Sequence, residues 1–264
     1  MLRQGIPVRL ILGVVVALFT VFSYYSKNQV NPITGESQHI SISPDEEIAL
    51  GLNSAPQMAQ EFGGLYQDAR VQQAVKAIGN MLVQRTEAKN SPYRFDFHVL
   101  ADPQTINAFA LPGGQVFITM GLLTQLEGND AEDQIAGVLG HEIGHVIGRH
   151  SAEHMAQQEL TTGLIGAAQV ATNPSSGQMA AFVGNMIGMK FGRADELESD
   201  HFGIKYMMQS GYNPEAMLKV MEVLARAGGG KQQSEFMSTH PSPENRVAKI
   251  KEAIAEFKAQ GIGN

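Results

Sequence analysis

Two histidines and a glutamate stand at helical spacing in the pentapeptide His141-Glu142-Ile143-Gly144-His145. On an α-helix, residues four apart differ by about 40° in azimuth, so both imidazoles project from one face and can bind one Zn²⁺. Glu142 lies beside that metal, where it can serve as a general base. Apolar residues flank the pentapeptide, so two purely structural histidines would leave Glu142 buried without a partner, which is costly. The pattern therefore predicts the zinc-binding helix of a metalloprotease.

A third ligand is needed, and an acidic run downstream offers one. Glu196 and Asp200 lie four residues apart and share a helix face. This pair suits a zinc site, because a ligating histidine usually donates its other N–H to a carboxylate such as Asp200. Asp195 lies on another face, and Glu198 has no aspartate four residues later. We therefore predict Glu196 as the ligand; a solvated acidic helix face is the alternative.

His150 is a second candidate for the third ligand. The segment that begins at His141 nearly matches the metzincin pattern His-Glu-x-x-His-x-x-Gly-x-x-His, with Gly148 in place, but the last histidine would have to stand at Ser151. The periodicity predicts one helix from Asp130 to about Glu159. Nine residues along an unbroken helix correspond to about 180° of rotation, so His150 would face away from His141. We therefore expect His150 to be a surface residue.

Four motifs in order resemble a known family. Asn-Ala-Phe-Ala-Leu-Pro-Gly-Gly begins at Asn107, His-Glu-Ile-Gly-His and Glu-x-x-x-Asp follow, and Thr-His-Pro-Ser-Pro-Glu-Asn-Arg begins at Thr239. From Asn31 to Lys258 the chain is similar to the smaller bacterial envelope members of the HtpX/BepA/LoiP/CAAX-protease family, membrane-associated zinc metallopeptidases of the gluzincin type. The resemblance implies one Zn²⁺ ion held by His141, His145 and Glu196, with Glu142 as the base and Asp200 as the partner of His141.

The resemblance also implies where substrate binds. Asn107, Ala108, Phe109 and Ala110 look like the edge segment on which gluzincins bind an extended peptide by added-strand hydrogen bonding. Such a mode recognises backbone more than side chains and would favour unfolded protein. An ordinary strand inside a sheet is the alternative, because the pattern alone does not mark an edge.

His240 stands in a tightly defined loop. Pro241 biases it towards an extended backbone, while Ser242 and Pro243 supply the cap and first turn of a following helix. The family's His-Pro motif supports a hydrogen bond from this ring to the oxyanion that forms during peptide hydrolysis. Without substrate, the same ring could occupy the open position at zinc. A turn histidine that only caps or packs is the alternative.

Composition excludes several other functions. The 264 residues are 43% hydrophobic and 17% charged, which is enough for a substantial core and unlike a disordered chain. A net charge of −7 without a dense basic block argues against binding to nucleic acid. Cysteine is absent, so the chain has no disulfide, thiol nucleophile or lipoprotein anchor.

The expected function is a zinc endopeptidase that hydrolyses misfolded or unassembled envelope proteins in protein quality control, with the substrate class taken from the resemblance. One alternative is a periplasmic chaperone or assembly factor that uses the same peptide groove with little hydrolysis, and Glu142 argues against it. Another is an anchored scaffold with structural zinc, which is disfavoured because structural sites use four protein ligands.

Residues 1–27 contain an apolar segment that indicates membrane insertion. Residues 6–25 approach the length of about 20 that a spanning helix needs, with Arg9 snorkelling to the headgroups. No Ala-x-Ala-like pattern follows, which favours an uncleaved anchor over a signal peptide. The excess of arginines before the segment places the amino terminus in the cytoplasm and the rest in the bacterial periplasm, anchored to the inner membrane. Export after cleavage is the alternative.

The remaining patterns predict an α+β fold that is mostly helical, a gluzincin-like zinc metalloprotease domain with a small sheet beside the zinc-binding helix and one hydrophobic helix in front. A turn-rich linker at 28–42 leads to a metallopeptidase domain at 43–264. The stretch Leu160–Phe191 is rich in Gly, Ala and Met. It is compatible with a mobile lid, a membrane-touching hairpin or, as we favour, a helical hairpin packed through small residues. Further helices are predicted from Ser43 onwards and over Asp68–Thr86, Arg193–Gln209, Pro214–Ala227 and Pro243–Lys258, with strands at Phe95–Val99 and Val116–Ile118.

Overall fold

The computed structural model describes residues 7–172, 191–228, 235–240 and 245–263. The chain forms two compact units, one of Met1–Ser43 with Ala152–Met189 and one of Pro44–Ser151 with Lys190–Asn264. In chain order the helices and strands are α1 (Val8–Ser26), β1 (Asn28–Val30), β2 (Ser37–His39), α2 (Pro44–Glu61), α3 (Ala69–Gln84), β3 (Asp96–Leu100), β4 (Ala108–Leu111), β5 (Gln115–Thr119), α4 (Met120–Leu123), α5 (Ala131–Ile147), α6 (His150–Thr172), α7 (Arg193–Ser210), α8 (Ala216–Gly228), α9 (Glu235–Thr239) and α10 (Arg246–Ala259).

The smaller unit contains α1, the β1–β2 hairpin and α6 from Ala152 onwards. Helix α1 is long and apolar enough to cross a membrane, and only 6% of its apolar window is buried within the protein. The antiparallel hairpin lies inside the predicted linker at 28–42. Its turn is stabilised by the side chain of Asn31, whose Oδ1 accepts hydrogen bonds from the backbone N–H groups of Ile33 and Thr34.

The larger unit contains a three-stranded sheet in the order β3–β5–β4. Strand β5 is parallel to β3 and antiparallel to β4, and all five of its residues are buried because it has a partner strand on each side. Helix α5, which carries the His-Glu-x-x-His motif, packs against β4 and β5. The prediction of a mostly helical α+β fold with a small sheet beside this helix is confirmed.

Two sequence predictions fall partly outside the described residues. Helix α6 covers the beginning of the Gly-, Ala- and Met-rich stretch, but residues 173–190 of this stretch lie outside. The last helix is described from Arg246, and its predicted first turn at Pro243 also lies outside.

The prediction of one helix from Asp130 to about Glu159 is wrong. Helix α5 ends at Ile147, and α6 begins at His150. Arg149 between them has a φ of 57°, a left-handed conformation that is rare for a residue with a side chain. Its guanidinium compensates for this strain, since Nε donates to the buried carboxylate of Glu47 at 2.8 Å. The break turns the chain, so the 180° argument that made His150 a surface residue does not apply.

The backbones of α5 and α7 touch where both helices carry glycine or serine. A Cβ at Gly144 would lie 2.9 Å from Ser199 Cα, and a Cβ at Gly203 would lie 3.0 Å from the backbone nitrogen of His141. Gly140 meets Gly203 in the same way, at 3.2 Å. Only residues without a large side chain allow such an approach, which brings the motif histidines on α5 directly opposite the acidic residues of α7.

We predict that Gly144→Ala destabilises the protein by about 1–3 kcal/mol, because the new methyl group would clash with backbone atoms that cannot move independently. Metal binding should weaken with it, since the two helices must separate. Gly137→Ala on the same helix is the matched control: its methyl group would meet the flexible Met217 side chain, with Sδ at 3.1 Å. That variant should gain up to about 1 kcal/mol from helix propensity. Urea denaturation that ranks the two variants equally would refute this account of the interface.

Candidate metal centre

Four side chains from α5, α7 and the residue after α9 converge on one point. One potential ligand atom from each of His141, His145, Glu196 and His240 lies within 4.8 Å of the other three, and all four residues are buried. His141 Nε2 is 3.0 Å from His145 Nε2 and 3.6 Å from Glu196 Oε2. His145 Nε2 is 3.4 Å from Glu196 Oε1. Ligands at about 2.05 Å from a tetrahedral metal are separated by about 3.3 Å, so these spacings suit a metal of that size.

The outer nitrogen of His141 is held by an ion pair that joins α7 to α10. Asp200 Oδ1 is 2.8 Å from His141 Nδ1. Arg246 binds the same carboxylate through two nitrogens, with Nε to Oδ2 at 2.6 Å and Nη2 to Oδ1 at 2.9 Å. Its Nη1 is 3.1 Å from Glu196 Oε2. Burial alone would raise the pKa of Asp200, but Arg246 and His141 lower it, so Asp200 stays ionised and accepts a hydrogen bond from His141 Nδ1.

The outer nitrogen of His145 is held by a second histidine. His145 Nδ1 is 2.9 Å from His150 Nδ1, and His150 Nε2 is 2.9 Å from Glu198 Oε2. The Glu198 carboxylate can only accept, so His150 donates from Nε2 and accepts at Nδ1. His145 must then donate from Nδ1, which leaves the lone pair of its Nε2 directed at the cluster. His150 is therefore buried behind a motif histidine, where Ser199 Oγ also lies 3.4 Å away.

Both motif histidines thus present lone pairs to each other at 3.0 Å with no proton between them. Burial lowers the pKa of His145 well below its ordinary value, so that ring stays neutral. Three carboxylates (Glu142, Glu196 and Asp200) and one guanidinium (Arg246) are buried around the cluster. A divalent cation would offset the excess of negative charge and would replace the repulsion between the lone pairs by attraction. The residues present therefore fit a divalent metal ion.

Glu142 lies beside the cluster with both carboxylate oxygens buried and without a hydrogen-bond partner among the described residues. Across the site, His240 Nε2 is 3.7 Å from Glu142 Oε1. Burial raises the pKa of Glu142. Burial would also raise the pKa of Glu196, but His240 and the motif histidines lower it well below its ordinary value. The pKa of Glu142 is therefore raised and that of Glu196 is lowered, which suits Glu142 as a base and Glu196 as a metal ligand.

His240 occupies the fourth corner of the cluster. Its Nδ1 is 2.9 Å from Glu196 Oε1 and 3.3 Å from His141 Nε2. Phe236 stacks on this ring with the centroids 4.4 Å apart, and Phe191 stacks on His145 with the centroids 4.1 Å apart. The backbone N–H of Phe191 donates to the carbonyl of Thr239, which joins the two sides of this aromatic cover. The site is therefore closed in the conformation described here.

The predicted substrate segment lies next to the cluster, at an edge of the sheet. A small pocket is lined both by Ala110 on β4 and by His145 on α5. Thr119 N donates to the carbonyl of Asn107 across the β4–β5 pair. In an antiparallel ladder every second residue makes such bonds, so the backbone polar groups of Phe109 point towards β5. Those of Ala108 and Ala110 point away from it. Asn107 Oδ1 is buried and has no hydrogen-bond partner within the described part of the chain.

Sequence reasoning missed three residues around the cluster. The sequence predicts His150 on the surface and Glu198 only as a competing ligand. It gives no role to Arg246, which ends the last motif. Of the three, only Arg246 could have been found from the sequence. Buried carboxylates need a cationic partner, and Arg246 is the cation of the last motif. The contact of His150 depends on the backbone of Arg149, which no local pattern predicts.

Comparison with known proteins identifies the family. The model of peptidase family M48 matches residues 69–254. The chain belongs to this family. Similar proteins are the mitochondrial metalloendopeptidase OMA1 of Schizosaccharomyces pombe (32% identity, covering 90% of this chain and 69% of that protein), the beta-barrel assembly-enhancing protease of Escherichia coli (31%, 82% and 45%) and the metalloprotease YcaL of Escherichia coli (29%, 72% and 70%). The chain spans about half the length of the assembly-enhancing proteases it matches.

As an M48 peptidase, the protein is a metalloendopeptidase, and the family implies a divalent metal. The resemblance expected from the four sequence motifs is confirmed. The residues that converge at the cluster carry three of those motifs, and Asn107 begins the fourth.

We predict that Glu196→Ala loses the metal while Glu198→Ala retains it at one equivalent. Both residues lie on α7 and the same atoms are removed, but only Glu196 points an oxygen at the motif histidines, whereas Glu198 contacts His150. Metal content after dialysis, measured by atomic emission, checks this. The opposite result would identify Glu198 as the third ligand and would contradict the assignment of Glu196.

Proposed function

We propose that this M48 metalloendopeptidase holds one zinc ion through His141, His145 and Glu196 and hydrolyses peptide bonds in misfolded or unassembled proteins of the bacterial envelope. The observation that carries the proposal is the carboxylate of Glu142, which is buried without a hydrogen-bond partner among the described residues and lies beside donors that fit a divalent metal. When bound, zinc supplies the Lewis acidity that activates water and polarises a peptide carbonyl.

Glu142 moves the protons of the reaction. Its raised pKa suits a group that must first accept a proton from the attacking water and then hold it. The same carboxyl group returns that proton to the amine of the leaving peptide. Asp200 and the His150–Glu198 pair keep the outer nitrogens of the motif histidines protonated, so that only lone pairs face the metal.

His240 is assigned two roles that depend on substrate. Its Nε2 has no hydrogen-bond partner within the described residues, so this nitrogen is available to donate to the oxyanion that forms when water adds to the carbonyl. Its Nδ1 stands at the fourth corner of the cluster, which keeps the enzyme latent while no peptide is bound. Binding of a peptide must therefore displace the ring and the aromatic cover over it.

The peptide is proposed to bind as an added strand along β4. The outward backbone groups of Ala108 and Ala110 offer one donor and one acceptor each, and Asn107 Oδ1 adds an acceptor at the start of the strand. A peptide in this position would pass the pocket that connects Ala110 with His145. Because an added strand is recognised through its backbone, extended segments of unfolded proteins are the preferred substrates.

The substrate class and location are supported by the relatives and by α1. Beta-barrel assembly-enhancing proteases of three bacterial genera are among the proteins similar to this chain. Helix α1 would anchor the protein in the inner membrane through residues 6–25, with 28–42 as the linker and 43–264 as the peptidase domain in the periplasm. A chaperone that uses the same groove with little hydrolysis is the competing function.

We predict that Glu142→Gln abolishes cleavage of denatured casein and leaves the metal at one equivalent, because this residue moves protons and is not a ligand. Glu132→Gln is the matched control, since it makes the same change at an exposed position of the same helix. The full chain in detergent, with and without a chelator, is the protein to assay. Unchanged turnover in Glu142→Gln would refute the mechanism, and binding without cleavage by the unmodified protein would favour the chaperone.

We predict that His240→Ala lowers kcat for a peptide substrate by about 10²-fold, as the loss of an oxyanion donor does in other hydrolases, and retains the metal. His201→Ala, which removes a half-buried histidine that packs on Phe257, serves as the control. Steady-state kinetics with a quenched fluorescent peptide separate the outcomes. Faster turnover in His240→Ala would show that the ring only blocks the site.

A further inference from the structure

We propose that the carboxyl-terminal half of α6, Leu160–Thr172, is embedded in the same bilayer as α1 and contacts lipid acyl chains with the face turned away from α1. This inference rests on the proposed membrane position of α1 and adds a second membrane-inserted element to it. The packing of the two helices, the distribution of charge and the exposed side chains of α6 support it.

Helices α1 and α6 pack against each other in antiparallel directions. Lys27, just after α1, forms an ion pair with Glu159 at 3.5 Å. One to two turns further along both helices, Gly163 lies so close to Thr20 that a Cβ on the glycine would be 2.5 Å from the threonine methyl group. Close contact through a small residue is the usual way in which helices associate within a membrane.

The charges of α6 stop at the ion pair. Up to this point the helix carries Glu153 and Glu159, whereas Leu160 to Met189 contain no Asp, Glu, Lys or Arg. On α1 the situation is the same, since no charged residue lies between Arg9 and Lys27. The Lys27–Glu159 pair therefore marks one level at which both helices change from charged to uncharged, as expected at the boundary between headgroups and hydrocarbon.

Two hydroxyl groups beyond this level are satisfied without water. Thr161 Oγ1 donates to the carbonyl of Gln157, and Thr20 Oγ1 donates to the carbonyl of Val16, each within its own helix. Such back-bonding satisfies a hydroxyl group in a membrane.

The outward face of this half-helix is apolar and accessible. Leu164 is 39% exposed and Ile165 is 53% exposed, and α1 also carries many exposed apolar side chains. In water these residues would enlarge an already extensive apolar surface at a cost of about 25 cal/mol per Å². In a bilayer the same surface carries no such cost.

The depth of insertion follows from helix geometry. At 1.5 Å per residue, Thr172 lies about 20 Å beyond Glu159, whereas the hydrocarbon core is about 30 Å thick. The described part of α6 therefore reaches well past the middle of the bilayer without crossing it. Helix α6, which follows the zinc-binding helix in the chain, would thus provide a second attachment to the membrane in addition to α1.

Single cysteines test this directly, because the chain contains none. Ile165→Cys probes the proposed lipid face, Phe19→Cys probes α1, and Gln157→Cys probes the exposed part of α6 before the ion pair. Each full-length variant is placed in phosphatidylcholine vesicles and treated with a water-soluble maleimide. Only the thiolate reacts, and hydrocarbon suppresses ionisation, so labelling at Ile165→Cys and Phe19→Cys should be at least about tenfold slower than at Gln157→Cys.

The outcomes separate this inference from the anchor on which it rests. Fast labelling at Ile165→Cys with slow labelling at Phe19→Cys would overturn the inference and leave α1 in the membrane. Fast labelling at both positions would overturn both. Leu164→Cys provides a second probe of the same face in case Ile165→Cys fails to fold, and retention of one metal equivalent identifies folded variants. Quenching of a fluorophore on Ile165→Cys by lipids with a spin label in the acyl chain is the expected positive signal.

Discussion

The close contact between the backbones of α5 and α7 is the constraint on which the centre depends. Gly140, Gly144 and Gly203 remove the side chains that would keep the two helices apart. At this separation, imidazoles on one helix and carboxylates on the other meet around a space the size of a metal ion. The glycine inside the His-Glu-x-x-His motif therefore has a structural role, because it sets the distance between the two helices that carry the ligands.

Around this contact, each polar group near the metal position has a defined proton state. Asp200 accepts a hydrogen bond from the outer nitrogen of His141, and His150 accepts one from that of His145. Arg246 compensates part of the buried negative charge. These residues determine which nitrogen of each motif histidine is available, so a preformed set of lone pairs exists in the folded chain. Glu142 is the exception, because its carboxylate has no hydrogen-bond partner among the described residues, and that is consistent with a group reserved for the reacting water.

The sequence predicted the features that follow from short-range periodicity. The spacing of His141 with His145 and of Glu196 with Asp200 is a property of single helices, so each pair could be placed on one face without knowing the fold. The position of His150 could not be predicted in this way, because it depends on a left-handed residue that breaks the helix before it. The role of Arg246 depends on a contact between α7 and α10, and the edge position of β4 depends on the order of three strands. Both are long-range properties of the chain.

The ion pair between Arg246 and Asp200 also sets an order of events during synthesis. The groups of the centre are spread over more than a hundred residues, and the guanidinium is the last of them to be made. Until it arrives, the carboxylates of Glu196 and Asp200 would have to be buried without their cation, which disfavours closure of the two helices. A chain that is still emerging from the ribosome is thus expected to stay inactive, because the buried carboxylates of its centre lack their cation.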